Sequence, residues 1–163
     1  MADGKIEGRE KKEAVMVAID GSECSHYALT WALENLKETI STSGLLVFTV
    51  QPIADFSYLS ASTLGATHPD LVKSVLENQK KAALALLQTA KDICANHGVV
   101  AETLTEAGDP KVAICETANK LEAKLLVMGS HSRGAIQRAF LGSVSSYCVH
   151  HCKYPVLVVK QQV

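Results

Sequence analysis

The stretch AVMVAIDG, residues 14–21, decides the fold class of this chain. Its six apolar residues in a row have the length of a strand, and the absence of polar alternation is typical of a strand that is covered on both faces. Asp20 and Gly21 end the run, as residues that favour turns do. Strands covered on both faces belong to parallel sheets with helices above and below them, so we expect an α/β domain.

Outside this strand, the chain alternates predicted helices with predicted strands. The pattern predicts further strands at Leu45–Val50, Val99–Glu106, Leu125–Met128 and Pro155–Val159. It predicts helices from Ser22 to about Glu38, from Pro69 to Gly98, from Asp109 to about Leu121 and from Ser143 to about His151. This alternation predicts a three-layer α/β sandwich, whose mainly parallel, five-stranded sheet has the Rossmann-like order 3-2-1-4-5.

The composition limits the classes of partner. The 163 residues suffice for one ordinary domain, which we place at residues 14–163 after a polar, flexible tail at residues 1–13. Sixteen Lys and Arg against seventeen Asp and Glu give a formal charge of -1, which excludes the broad basic field of nucleic-acid-binding proteins. No apolar run approaches the roughly 20 residues of a membrane span. We therefore expect a cytoplasmic or nuclear protein that binds neither nucleic acid nor membranes.

Five cysteines are scattered along the chain without a C-x-x-C pair, at Cys24, Cys94, Cys115, Cys148 and Cys152. An odd number without paired spacing predicts reduced thiols rather than a disulfide framework or a zinc ribbon. On a helix, Cys148 and Cys152 share a face, but the two histidines between them do not fall on it. We expect these cysteines to fill the core and not to bind a metal.

The strand order also predicts where a ligand binds. In such sheets the order in which the strands are added reverses between the first and the fourth strand. Ligands bind beyond the carboxyl ends of those two strands, which here carry Asp20 and Gly129. The glycine-punctuated segment 129–134 and the helix start at residues 142–145 suit phosphate, because they offer close backbone approach and N–H and hydroxyl donors. The alternative is that these glycines only permit tight turns.

Three segments of the chain carry a family resemblance: residues 15–21 (VMVAIDG), 129–145 (GSHSRGAIQRAFLGSVS) and 155–159 (PVLVV). Together they resemble the universal stress protein family, in detail its plant single-domain members, over about residues 14–160. Nucleotide-binding members carry Gly, two residues, Gly, nine residues, then Gly and Ser or Thr; this chain has Ser132 in place of the second Gly. The resemblance implies the adenine nucleotide alpha hydrolase-like form of the fold, with ATP or AMP as the ligand and Mg²⁺ accompanying ATP.

The resemblance also implies roles for individual residues. Asp20 would hold the ribose hydroxyls, Val50 would meet adenine through its backbone, and Gly108 would border the pocket. The residues implied near the base are Ala18 and Ile19. The residues implied to line the ribose and the phosphates are Met128, Gly129, His131, Gly142, Ser143, Val144 and Ser145.

The side chains themselves leave alternatives open. Asp20 can accept two hydrogen bonds from ribose, but an aspartate at a strand end can also form a turn or a cap. His131 and Arg133 can contact a phosphate, although a lone exposed arginine is more often a solvated charge. We expect Ser132 to weaken nucleotide binding without abolishing it, unless its hydroxyl donates to a phosphate and compensates.

These observations favour an adenine-nucleotide-binding, stress-response regulatory protein that is not an enzyme. A slow ATP hydrolase is one alternative, but no Walker lysine, base or pair of carboxylates accompanies the glycine segment. A nucleotide-free, redox-responsive, chaperone-like interaction module is another. We also expect segment 51–68 to act as a mobile lid, and a homodimer to form through the uncharged edge strand Val156–Val159.

Overall fold

The structure is a computed structural model that describes residues 13–52, 69–131 and 142–162. The strands are β1 (Val15–Ala18), β2 (Leu45–Pro52), β3 (Glu102–Gly108), β4 (Leu125–Gly129) and β5 (Val156–Val159). The helices are α1 (Glu23–Asn35), α2 (Lys37–Ser43), α3 (Pro69–Asn96), α4 (Pro110–Lys120) and α5 (Ser143–His151). The predicted tail up to residue 12, residues 53–68 of the predicted lid, Ser132 and Arg133 lie outside the described residues. Residues 51 and 52, which we expected to start the lid, are instead the last two residues of β2, because they pair with β3.

The sheet confirms the predicted fold class. Its strand order is β3-β2-β1-β4-β5, and each neighbouring pair of strands is parallel. Val15 of the central strand β1 pairs with Leu45 of β2 on one side and with Leu125 of β4 on the other. All four residues of β1 are buried, as the uninterrupted apolar run predicts. The order in which the strands are added to the sheet therefore reverses between β1 and β4, where a ligand site is expected.

Helices cover both faces of the sheet and create two cores. On one face, Val15 and Val17 pack with the group of buried residues that includes Leu29 of α1 and Leu87 of α3. On the other, Met16 packs with the group that includes residues of α4 and α5. Because successive side chains of a strand point to opposite faces, this single strand anchors both cores. No helix within the described ranges is long and apolar enough to cross a membrane.

Two elements differ from the predicted ones. The single helix expected up to about Glu38 is two helices, because the backbone of Leu36 leaves the helical conformation and α2 then continues as a short helix with buried Ile40. The third strand starts at Glu102 rather than Val99, because Val99 N–H donates to the Cys94 carbonyl and so ends α3. The first difference arises from the backbone dihedral angles of Leu36 and the second from a backbone hydrogen bond, and hydrophobic spacing reports neither.

The cysteines are free thiols in all five positions. Burial raises the pKa of the Cys94 thiol to about 11 and also raises the pKa values of the Cys115 and Cys148 thiols. Cys148 fills the core and Cys152 donates to Asn119 Oδ1 at 3.6 Å. The thiols in the core therefore stay protonated at neutral pH, which makes them poor nucleophiles and poor metal ligands.

Candidate functional site

A cavity of about 600 Å³ opens at the carboxyl edge of the sheet, where the strand order reverses. The ends of β1, β2 and β4 form its floor, and α3, α4 and the start of α5 form its walls. This volume falls within the range of small-molecule sites, about 300–1,000 Å³. The cavity is thus large enough for a ligand the size of a nucleoside.

Asp20 stands at the mouth of the cavity, directly after β1, and is exposed. Its Oδ1 accepts a hydrogen bond from Ser22 N at 2.9 Å, and its own N–H donates to Ser25 Oγ at 3.2 Å. Gly21 next to it has φ +83°, a conformation that favours glycine. Asp20 therefore stabilises the turn after β1, and the turn keeps its carboxylate exposed at the edge of the cavity.

Gly129, at the end of β4, is required by the packing of α1. A Cβ atom at this position would lie 2.8 Å from the carbonyl oxygen of Cys24, which is backbone and cannot rotate away. The sequence suggested close approach to a phosphate or a tight turn, whereas the structure shows close approach of the first turn of α1. This contact packs the first turn of α1 against the end of β4, beside the cavity.

We expect Gly129→Ala to lower the free energy of unfolding by about 1–3 kcal/mol, the usual cost of overpacking. Chemical denaturation followed by the fluorescence of Trp31, the one tryptophan of the chain, measures this change. An unfolding free energy equal to that of the wild type would show that α1 can shift without cost.

The start of α5 provides a second polar feature of the site. Its N-terminus has no side-chain cap, whereas the N-termini of α1 and α4 at the same edge of the sheet are capped by Ser22 and Asp109. An uncapped first turn presents backbone N–H groups, and the helix dipole adds a partial positive charge. Val144 and Ser145 of this turn line the cavity. An anion at this end of the cavity would satisfy these donors.

Two of the donors that the sequence suggested for phosphate are used within the fold. Gly142 N–H donates to the carbonyl of Ser130 at 2.7 Å. The Ser145 hydroxyl lies 3.1 Å from the same carbonyl oxygen and 3.0 Å from that of Gly142. These bonds fix the start of α5 against the end of β4. The donors toward the cavity are therefore backbone groups of the first turn of α5, not the hydroxyl of Ser145.

The walls of the cavity are largely apolar, with Val50, Ile114 and Met128 among the lining residues. Among the described lining residues, Asp20 and His131 carry the titratable side chains. Asp20 therefore supplies a negative charge at the mouth of an otherwise weakly polar site. This combination suits a ligand with a flat apolar part, neighbouring hydroxyls and an anionic group.

The structure brings together most of the residues that the sequence suggested. Those that line the cavity are Ala18, Ile19, Asp20, Val50, Met128, Gly129, His131, Val144 and Ser145. Gly142 and Ser143 begin α5 beside it without lining it. Gly108 ends β3 and does not line the cavity, whereas Pro110 does. Ser132 and Arg133 are outside the described residues.

Helix α3 forms a wall of the cavity that the sequence pattern did not predict. Four residues at helical spacing on this helix line the cavity: Gln79, Ala82, Ala83 and Leu86. A signal was present, because Gln79 interrupts the apolar stripe of α3 and two small residues follow it. Thr49 was also missed; it is buried and its hydroxyl donates to the carbonyl of Ile19 at 2.7 Å, which ties the ends of β1 and β2 together.

The fold and the site define a doubly wound α/β domain with a ligand cavity at its reversal point. The profile of the universal stress protein family matches residues 12–160. The chain therefore belongs to the universal stress protein family, as the resemblance of its motifs predicted.

Similar proteins come from both sequence and structure comparisons. The chain is 29% identical to the universal stress protein A-like protein of Arabidopsis thaliana, over 90% of this chain and 89% of that protein. It resembles the crystal structure of a universal stress protein family protein of the same plant with AMP bound, with TM-score 0.64 and 27% identity over 92% of each chain. A universal stress protein in complex with cAMP is 25% identical with TM-score 0.64, over 92% of this chain and 98% of that chain.

Proposed function

We propose that this chain binds an adenine nucleotide, AMP or ATP, in the cavity and acts as a stress-response regulatory protein. The observation that carries the proposal is the placement of the Asp20 carboxylate and the uncapped start of α5 at one apolar cavity. A carboxylate suits the ribose hydroxyls, and the first turn of α5 suits a phosphate. The AMP and cAMP held by two similar proteins support an adenine nucleotide as the ligand.

Calorimetric titration of the purified chain with AMP and with ATP, the latter with and without Mg²⁺, tests this proposal. We expect one nucleotide to bind per chain and the two nucleotides to compete for one site. GMP serves as the control for the base. A chain that binds neither AMP nor ATP at millimolar concentration, by calorimetry and by thermal shift, would contradict the proposal.

Mg²⁺ is proposed only as a companion of ATP. Within the described ranges, no three His, Cys, Asp or Glu residues form a group that could hold a metal ion by themselves. Mg²⁺ usually keeps several waters and binds largely through substrate phosphates, which the proposal places at the start of α5. Mg²⁺ should therefore tighten ATP binding and leave AMP binding nearly unchanged.

We further propose that the chain binds its nucleotide without turning it over. Apart from Asp20 and His131, the described lining residues offer no acid or base, and the start of α5 supplies backbone N–H groups and the exposed Ser143 hydroxyl rather than a cation. Phosphoryl transfer needs an oriented nucleophile and positive charge on the leaving phosphates. Chromatography of ATP incubated with the chain should show no more ADP than buffer alone, and steady ADP formation that copurified contaminants do not explain would favour a hydrolase.

The cytoplasm is the location we propose, in line with five free thiols.

The proposed partner is a second copy of this chain, bound through β5. The carbonyl groups of Pro155 and Val159 accept hydrogen bonds from Leu126 N–H of β4 and from Ser130 N–H directly after β4, at 2.9 and 3.0 Å. Backbone groups alternate in direction along a strand, so those of Val158 face the open side. Such an edge, apolar and uncharged, pairs readily with another strand.

Val158→Pro is expected to convert the dimer to a monomer. Proline removes the N–H that faces the open side, and an edge strand tolerates it because the bonds to β4 use other residues. Light scattering after size exclusion measures the mass, with Val158→Thr as a control that keeps the N–H. A wild-type chain of monomer mass at micromolar concentration would contradict the proposed dimer.

A further inference from the structure

The side chain of Gln79 is unexpected in its position on α3. The residue is half-buried and lines the cavity, at a place where the spacing of the helix calls for an apolar residue. Within the described part of the chain, its carboxamide makes no hydrogen bond. The atoms of this carboxamide are accessible, because no buried side-chain nitrogen or oxygen of the described residues lacks a hydrogen-bond partner, so the amide is available to a ligand that enters the cavity.

The fold determines which part of a nucleotide lies near this amide. In the sheet order, β1 with Asp20 lies between β2 and β4. The uncapped start of α5 is fixed to the end of β4 through Ser130, whereas α3 packs in the same core as β2. A nucleotide with its ribose at Asp20 and its phosphate at α5 therefore extends its base toward β2 and α3.

The other amide on this side of the cavity has a partner. Gln51, near the end of β2, donates from Nε2 to Thr105 Oγ1 at 3.4 Å, which holds it against β3. Gln79 thus differs from Gln51 in having its carboxamide available to a ligand. A carboxamide presents an acceptor beside a donor, the arrangement that pairs with the amino group of adenine and an adjacent ring nitrogen.

We propose that Gln79 recognises the base of the bound nucleotide, accepting a hydrogen bond from the 6-amino group of adenine. This inference rests on the proposed function, because it requires an adenine nucleotide in the cavity. Gln79 is then a specificity-determining residue, whereas Asp20 and α5 bind parts that all ribonucleotides share.

The test compares AMP with purine riboside 5′-monophosphate, which has hydrogen in place of the 6-amino group. We expect the wild type to bind AMP about five- to tenfold more tightly than this analogue, the value of one well-formed hydrogen bond. Gln79→Leu should bind the two ligands equally, because the partner of the amino group is gone. Gln79→Ala, which also favours the helix, should behave as Gln79→Leu does.

Gln88→Leu is the matched control. Gln88 is an exposed glutamine of the same helix, it does not line the cavity, and its amide donates to Asp92 at 3.0 Å. This variant should keep the wild-type preference for AMP. If Gln79→Leu and Gln79→Ala also keep that preference while binding AMP, Gln79 does not contact the amino group and the inference is overturned. If the wild type binds neither ligand, the proposed function is overturned with it.

Discussion

Asp20→Ala is expected to weaken AMP binding about tenfold or more, because each charge-assisted hydrogen bond is worth about 1.5–3 kcal/mol. Asp20 accepts these bonds from the ribose hydroxyls in the proposed complex, from an exposed position at the mouth of the cavity. Its side chain is not part of either core, so the fold should persist. Calorimetry with AMP measures the affinity, and circular dichroism checks the fold.

Two further variants separate the charge of Asp20 from its role in the turn. Asp20→Asn keeps an acceptor for the N–H of Ser22 and removes the negative charge, so it should also weaken AMP binding. Asp109→Ala is the matched control, because Asp109 is an exposed aspartate that caps α4 and does not line the cavity. It should bind AMP as the wild type does. An unchanged affinity in Asp20→Ala would remove Asp20 from the site.

The fold could be predicted because its strongest signals are local. The apolar run of β1 can only be satisfied by cover on both faces, which already implies a parallel sheet with helices on both sides. Element bounds were less accurate where backbone hydrogen bonds decide them. The start of β3 depends on its pairing with Leu46 of β2, a contact distant in sequence, and Val100 in the preceding connection is exposed despite its apolar side chain.

The site was predictable at the strand ends and at the start of α5, where Val144 and Ser145 line the cavity as expected. Asp20 and Gly129 were found because the order of a parallel sheet places the ends of its central strands together. Which residues of α3 line the cavity depends on how this helix packs across β2. The local sequence pattern does not predict that packing. The reason for Gly129 was not readable either, since the close contact is with the backbone of Cys24, far away in sequence.

The largest loss of AMP affinity is expected from a substitution in the wall of the cavity that α3 forms. Ala82 lines the cavity and is itself exposed, so a larger side chain there has room without displacing the core. A tryptophan at this position would bury its ring in the apolar cavity rather than leave it in water. We expect Ala82→Trp to weaken AMP binding about a hundredfold or more, because the ring occupies the space of the base.

Ala85→Trp provides the control for this substitution. Ala85 is an exposed alanine on the same helix that does not line the cavity, so the two variants add the same side chain inside and outside the site. Ala85→Trp should bind AMP as the wild type does. Ala82→Trp should unfold at the wild-type temperature or above it, because the ring fills a cavity and adds apolar burial. A stable Ala82→Trp variant that binds AMP with wild-type affinity would place the nucleotide outside this cavity, and the roles of Asp20 and Gln79 would fall with it.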